Sequence, residues 1–114
     1  MKKHVDPEGT FPLSEVFSFK DKVQFAKGGI VSKQVVKAEK GNVSLFAFDK
    51  GESLSEHTAP FDAMVQIIEG KAKIIIGGTV FNLASGECII MPANVSHAVQ
   101  ASERFKMILT MIRN

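Results

Sequence analysis

His57 and His97 stand forty residues apart, and each sits inside a frame of glycine and proline. Around the first the order is Gly51, five residues, His57, twelve residues, Gly70. Around the second it is Gly86, five residues, Pro92, four residues, His97. A neutral imidazole offers an unprotonated ring nitrogen and is the commonest side-chain donor to transition metals. Two such nitrogens converging on one cavity would supply part of a coordination sphere, leaving water, substrate or another side chain to complete it. The blander reading is a pair of histidines hydrogen-bonded to their neighbours, with no metal. The third histidine, His4, lies in a polar N-terminal stretch and is expected to take no part.

For the two imidazoles to meet, distant stretches of chain must become neighbours, and the residue pattern says how. From Ile30 onward, short apolar runs alternate with turn residues every eight to twelve positions, which reads as an antiparallel sandwich or barrel. The runs are 30–37, 43–48, 63–68, 72–76, 80–83, 88–91, 96–100 and 105–111. Gly77-Gly78 between two of them signals a two-residue hairpin, because both central residues of that turn need positive φ. Gly41-Asn42, Asp49-Lys50-Gly51 and Ser85-Gly86 mark further reversals. Pro92 lacks an N–H and so ends the run before it. Helix signals are confined to 13–19, where the pattern allows one short turn or an extended arm packed against a neighbour. The expected organisation is an N-terminal arm, residues 1–22, and a single barrel domain, residues 23–114.

Alternation along a strand assigns the interior. With His57 pointing inward, Ser53, Ser55 and Ala59 share its face, and in the next strand Ala63, Val65 and Ile67 point in. The pocket expected around the histidines is therefore lined by Ser55, Ala59, Ala63 and Val65. The opposite face of that next strand carries Met64, Gln66 and Ile68. In the last strand Phe105, Met107, Leu109 and Met111 fall on one face and Ile108 on the other. A sheet that is apolar on both faces has something packed on each. A homodimer is expected, with Met64 and Ile68 in its contact. The same parity turns Glu56, Asp62, Gln66 and Gln100 away from the histidines, although a bulge near Asp62 would re-aim it. Met91, Met107 and Met111 read as packing rather than as sulfur ligands.

Composition narrows the classes. The chain has 114 residues and 45% hydrophobic content, the size of one domain able to bury a core. Fourteen Lys and Arg against twelve Asp and Glu give a net charge of +2, and the basic residues are dispersed. Nucleic-acid binding needs a concentrated positive footprint and usually aromatic platforms. With no Trp, no Tyr and only scattered lysines, that reading is weak, and no nucleic-acid partner is expected. The lone cysteine, Cys88, rules out an intramolecular disulfide and fits a reducing compartment. No apolar run approaches the roughly 20 residues that cross a bilayer. The two N-terminal lysines are not followed by a signal-peptide core. A cytoplasmic protein with neither membrane nor nucleic-acid partners is expected.

The two frames resemble the paired signatures of the cupin superfamily. The first signature reads G-x5-H-x-H-x3-E-x6-G, and here Ala59 stands for the second histidine and Ala63 for the glutamate. The second reads G-x5-P-x-G-x2-H-x3-N, with Asn94 in place of glycine and Ala101 in place of asparagine. The resemblance runs from Gly51 to Ala101. It implies an all-β, antiparallel double-stranded β-helix, or jelly roll, with at most a short N-terminal helical turn. It also implies frequent dimers, through sheet packing or exchanged N-terminal arms. The metal pocket it implies is cut from four ligands to two, His57 and His97. A divalent transition metal held there, Zn, Fe, Mn or Ni, would be weakly bound and low in occupancy.

Fold alone does not name a reaction in so varied a superfamily. Its sugar-epimerase and cysteine-dioxygenase-like sites use a tyrosine, which this chain lacks. Its four-ligand oxidases need the donors that Ala59 and Ala63 replace. Two classes stay open. One is a small-molecule enzyme whose substrate completes an open two-histidine metal centre. The other is a non-catalytic small-molecule binding or sensing module without metal, favoured by the methyl groups at Ala59 and Ala63, which enlarge the pocket and make it more apolar. In a third, the barrel packs shut and the dimer is the functional object.

Overall fold

The turn chemistry and apolar runs produce eight strands in a computed structural model that describes residues 11–113. They are β1 (Ile30–Ala38), β2 (Gly41–Phe48), β3 (Ser53–His57), β4 (Asp62–Ile76), β5 (Thr79–Ala84), β6 (Cys88–Met91), β7 (His97–Gln100) and β8 (Phe105–Ile112). The helical content of the described residues is one 3-10 turn, Phe19–Asp21, which begins at the last residue of the 13–19 stretch where a turn was expected. His4 lies outside the described residues. No helix among them is long and apolar enough to cross a membrane.

All pairings are antiparallel. One layer runs β1-β2-β8-β4-β6 and the other β3-β7-β4-β5, because the long β4 serves both. This is the antiparallel sandwich that the residue pattern predicts, with the jelly-roll topology that the cupin resemblance implies. The Gly77-Gly78 hairpin forms as expected: Ile76 pairs with Thr79, and the two glycines take φ of +53° and +85°.

Two strand assignments differ from expectation. The runs 63–68 and 72–76 are halves of a single strand, continuous through Gly70. A bulge between Ile67 and Glu69 places one extra residue, Ile68, opposite β8. That extra residue reverses parity, so Ala63, Val65 and Ile67 point inward before it and Ala72 and Ile74 after it. The second difference is β3, whose sequence Ser-Leu-Ser-Glu-His is too polar to register as an apolar run.

The interior cluster lies between the layers and includes Phe48, Val65, Ile67, Ile74, Phe105 and Met107. Phe48 and Phe105 stack with centroids 4.5 Å apart and planes 13° from parallel. Each fully buried side chain of this kind contributes roughly 1.5–3 kcal/mol relative to exposure.

A second cluster lies on the outer face of the β1-β2-β8-β4-β6 layer. There Val23, Leu45, Ala47 and Ile108 are buried, with Phe11, Phe19, Phe25 and Ile68 packed against them. Ile68 and Ile108 are thus covered by the chain's own N-terminal segment. Ile68, expected in a contact with another subunit, is half-buried beneath the chain's own N-terminal segment.

Polar contacts pin this segment. Lys106 is buried, yet its Nζ donates to the Lys20 carbonyl at 2.8 Å and lies 3.4 Å from Glu69 Oε1. The Phe25 ring lies beside the cations of both Arg104, at 5.0 Å, and Lys106, at 5.1 Å. Arg104 Nε donates to Asp49 Oδ1 at 2.7 Å, while Asp49 Oδ2 accepts the Gly28 N–H at 2.6 Å.

Candidate functional site

β3 and β7 place the two histidines side by side. His57 is the cross-strand partner of His97, and the ring centroids are 4.3 Å apart with planes at 67°. This pairing depends on an irregularity in β3. Ser53 opposes Gln100 and Leu54 opposes Val99, yet the partner of His97 is His57, not Glu56. One extra residue is therefore accommodated between Leu54 and His57.

Directly opposed residues share a face of the sheet, and Val99 belongs to the interior cluster. Leu54 and His57, three residues apart, consequently lie on the same inner side. Strict alternation from His57 would instead have turned Ser53 and Ser55 inward. Both serines are exposed, and Leu54 packs against the core in their place.

Backbone carbonyls orient both rings. His57 Nδ1 donates to the Ser55 carbonyl at 2.9 Å, and His97 Nδ1 to the Val95 carbonyl at 3.3 Å. A carbonyl oxygen can only accept, so Nδ1 carries the hydrogen in each ring, and in the neutral form of the ring the lone pair is on Nε2. Metal-binding histidines are commonly oriented in this way. His57 is exposed at the rim, whereas His97 is buried and has Ile76 of β4 as its other cross-strand neighbour. Burial pushes the pKa of His97 below the ordinary histidine value of 6.5; the Val95 carbonyl opposes this, and nearby His57 adds to it. His97 is therefore neutral, with a free nitrogen, at neutral pH.

The loops beside the histidines are tied together. The Ala59 carbonyl accepts the Asn94 N–H at 2.8 Å, and Asp62 Oδ1 accepts the Ala93 N–H at 2.9 Å. Ser96 Oγ donates to Glu56 Oε2 at 3.1 Å, and the Gly77 N–H donates to the Ser96 carbonyl at 2.8 Å. Asn94 has φ of +64°, which explains how it can stand where the cupin signature has glycine. Asparagine is one of the few residues that visit the left-handed region readily.

The predicted pocket residues occupy different places. Ala63 and Val65 are buried in the interior cluster, Ala59 is half-buried in the loop before β4, and Ser55 is exposed with its carbonyl holding His57. Asp62 and Glu56 bind loop donors, as described above. Met91 and Met107 are buried in the interior cluster, and Met111 packs against it.

Among the described residues, no three His, Cys, Asp or Glu side chains gather closely enough to hold a metal ion. The donors present therefore do not match the four-ligand cupin set. They fit a divalent ion only as two oriented imidazoles, with the rest of its sphere supplied from outside the chain. Sequence reasoning missed the Ser55 and Val95 carbonyls because a main-chain acceptor has no residue-type signature. It missed Leu54 because β3 is irregular.

Residues 44–113 match the family described as the cupin domain. A conserved protein of unknown function from Streptococcus pyogenes shares 32% identity, with 89% of each chain covered and a TM-score of 0.85. A cupin 2 conserved barrel domain protein from Leptotrichia buccalis shares 38% identity over 85% of this chain, with a TM-score of 0.83; this chain spans 47% of that longer one. A cupin superfamily protein from Desulfitobacterium hafniense has the same fold, with a TM-score of 0.86 at 24% identity over 92% of this chain and 96% of that one. Among curated proteins no match was found.

Proposed function

The chain belongs to the cupin domain family, and from that premise we propose that it is a small-molecule-binding barrel whose ligand docks at the His57–His97 pair. The observation carrying this reading is the contact between two imidazoles that both have Nδ1 committed to a backbone carbonyl. Each keeps one acceptor nitrogen available. Such a pair suits a divalent transition metal, Zn, Fe, Mn or Ni, whose remaining positions are filled by water or by the ligand. When bound, the ion would supply Lewis acidity at the barrel rim.

The chain's own residues prepare the pair. The Ser55 and Val95 carbonyls fix ring orientation and tautomer, and the Ala59–Asn94 and Gly77–Ser96 bonds hold the flanking loops. Burial keeps His97 deprotonated at neutral pH. The setting we infer is the reducing cytoplasm, which an exposed free cysteine at position 88 suits.

A metal-free variant of this reading is favoured by the lack of a third side-chain donor among the described residues. Two neutral acceptors can instead receive hydrogen bonds from a ligand's O–H or N–H groups. The test is metal titration by calorimetry of chelator-free protein, compared with the His57→Ala/His97→Ala double variant. Stoichiometric binding to the wild type and none to the variant supports the metal form. Equal, near-zero binding in both refutes it and leaves the metal-free form. That form then requires small-molecule fragments to shift the NMR signals of both histidines, and shifts confined to other parts of the barrel would refute the binding site itself.

A further inference from the structure

Of the four strands that end the two layers, three carry features that discourage a further strand from adding. β1 has a register shift between Gln34 and Val36 and two lysines, Lys33 and Lys37. β3 is irregular and carries Glu56, and β6 has only four residues. Bulges, charges and shortness are the usual means by which a sheet edge is kept from pairing with another chain. β5 has none of them. It pairs with β4 in unbroken register, contains no charge and no proline, and leaves Val80 49% and Phe81 38% exposed. Among the described residues β5 pairs with β4 alone.

The backbone groups on this edge follow from one turn. Successive residues of a strand direct their N–H and C=O alternately to its two sides. Ala84 donates its N–H to Glu87 Oε1 at 2.8 Å and accepts the Glu87 N–H at 3.0 Å, so its own groups face away from β4. Those of Asn82 and Val80, two and four residues back, face the same way, and among the described residues they have no partner. The inner side of the edge is apolar. Phe81 and Leu83 oppose the buried Ile74 and Ala72, and Ile89 of β6 opposes the buried Val65, so all three point between the layers. With Asn82, Glu87 and Cys88 they line a cleft of about 380 Å³. Glu87 stands at the end of β5, and its Oε2 has no ion-pair or hydrogen-bond partner among the described residues except through Ser96 on neither count.

We propose that β5 is a docking edge for an extended segment of another protein, which adds to the β3-β7-β4-β5 layer as an antiparallel strand with a basic residue near its N-terminal end. The outward N–H and C=O groups of Val80 and Asn82 require an alternating row of acceptors and donors, which an extended peptide has and a compact small molecule lacks. Every second side chain of such a segment falls on the inner face. There it lies beside Phe81 and Leu83 and against Ile89, so apolar residues at alternate positions fit the cleft. An antiparallel segment begins beyond Ala84, where the Glu87 carboxylate can pair with a basic side chain. The β5 of a second copy does not meet that demand, because Thr79–Ala84 contains no basic residue. The edge lies at the opposite end of its layer from β3 and β7, which carry the histidines.

The probe is a short N-acetylated peptide, an arginine followed by alternating threonine and valine, labelled at its C-terminus and titrated with the full chain by fluorescence anisotropy. It should bind saturably, with its valines in the cleft and its threonines opposite Val80 and Asn82. Residues opposite those two direct their own N–H toward β5, so N-methylation at the threonines should weaken binding by about tenfold or more. N-methylation at the valines, whose N–H groups point away, should leave it unchanged. Asn82→Pro removes an N–H that β4 does not use and should abolish binding. Glu87→Gln, which keeps an acceptor for the Ala84 N–H, should erase the preference for arginine over glutamine in the peptide. The two methylated peptides decide the matter on the unaltered protein. Absence of saturable binding overturns the proposal, and so does equal binding of both methylated peptides, which is apolar adhesion. A wild-type chain that sediments above its 12.4 kDa mass and falls to it in Asn82→Pro makes a second copy the occupant, and overturns it as well.

Discussion

Replacing Gly70 by alanine should destabilise the fold by at least about 4 kcal/mol, whereas the same change at Gly86 should cost only about 1–2 kcal/mol. Both glycines stand in the cupin signatures, and both have positive φ, +80° at Gly70 and +91° at Gly86. Alanine at either pays the left-handed penalty, and at Gly86 it pays little else, since a Cβ there would meet nothing within 4 Å. At Gly70 a Cβ would overlap the Arg104 carbonyl oxygen, and would lie 3.0 Å from the Phe105 Cα and 3.1 Å from the Arg104 carbonyl carbon. These are backbone atoms, so no side-chain rotation relieves the clash. The start of β8 must shift, and with it Phe105, which is fully buried and stacked on Phe48. Deleting a buried phenylalanine side chain altogether costs about 3–5 kcal/mol, and a displaced one forfeits part of that. Against a total stability of roughly 6–17 kcal/mol for a chain of this length, the loss is severe. Urea unfolding of the two variants measures it, with equal m-values required for the comparison. A Gly70→Ala variant within about 1 kcal/mol of Gly86→Ala would show that conformation alone, not the close approach of β8, demands glycine there.

Asp49 and Lys106 offer separate tests of how the N-terminal segment is held. The Arg104 side chain, then the N–H groups of Gly28 and Lys50, lower the Asp49 pKa from 3.8 to about 2. A carboxyl group with a depressed folded-state pKa stabilises the fold above its unfolded value, and that contribution is lost as pH falls through the folded value. The stability gap between wild type and Asp49→Asn should therefore be constant near neutral pH and shrink from about pH 4 toward pH 2. A gap that widens on acidification would contradict the assignment. Lys106→Met removes a charged hydrogen bond to the Lys20 carbonyl and the contact with Glu69. It should cost about 1.5–3 kcal/mol and speed amide hydrogen exchange across residues 19–25. Unchanged exchange there would mean that Lys106 does not anchor the segment.

The antiparallel all-β architecture was legible because its determinants are local, while the jelly-roll topology was implied by the resemblance of the two histidine frames. Paired glycines impose a hairpin at 77–78, Pro92 stops a strand, and short apolar runs set the spacing of walls. Inner-face residues were equally legible where pairing is regular: Ala63, Val65 and Ile67 point inward in β4, as do Phe105 and Met107 in β8. Parity failed at bulges. The irregularity in β3 turned Leu54 inward instead of Ser53 and Ser55, whereas in β4 Ile68 stays on the outer face that its parity predicts and the alternation reverses only beyond it. A bulge is chosen by the strand lying opposite, so nothing in the local residue pattern marks it. For the same reason the sequence separated β4 into two runs at Gly70, reading as a break the glycine that lets β8 pass close by.

By itself the sequence determined that the chain carries two histidines in cupin-like frames and alanines where two further donors would stand. Tertiary structure decided that those histidines touch, that one is buried and the other exposed, and which nitrogen of each is free. The physical reason is that register and ring tautomer are set by partners distant in sequence or by main-chain carbonyls, and neither leaves a mark on residue type.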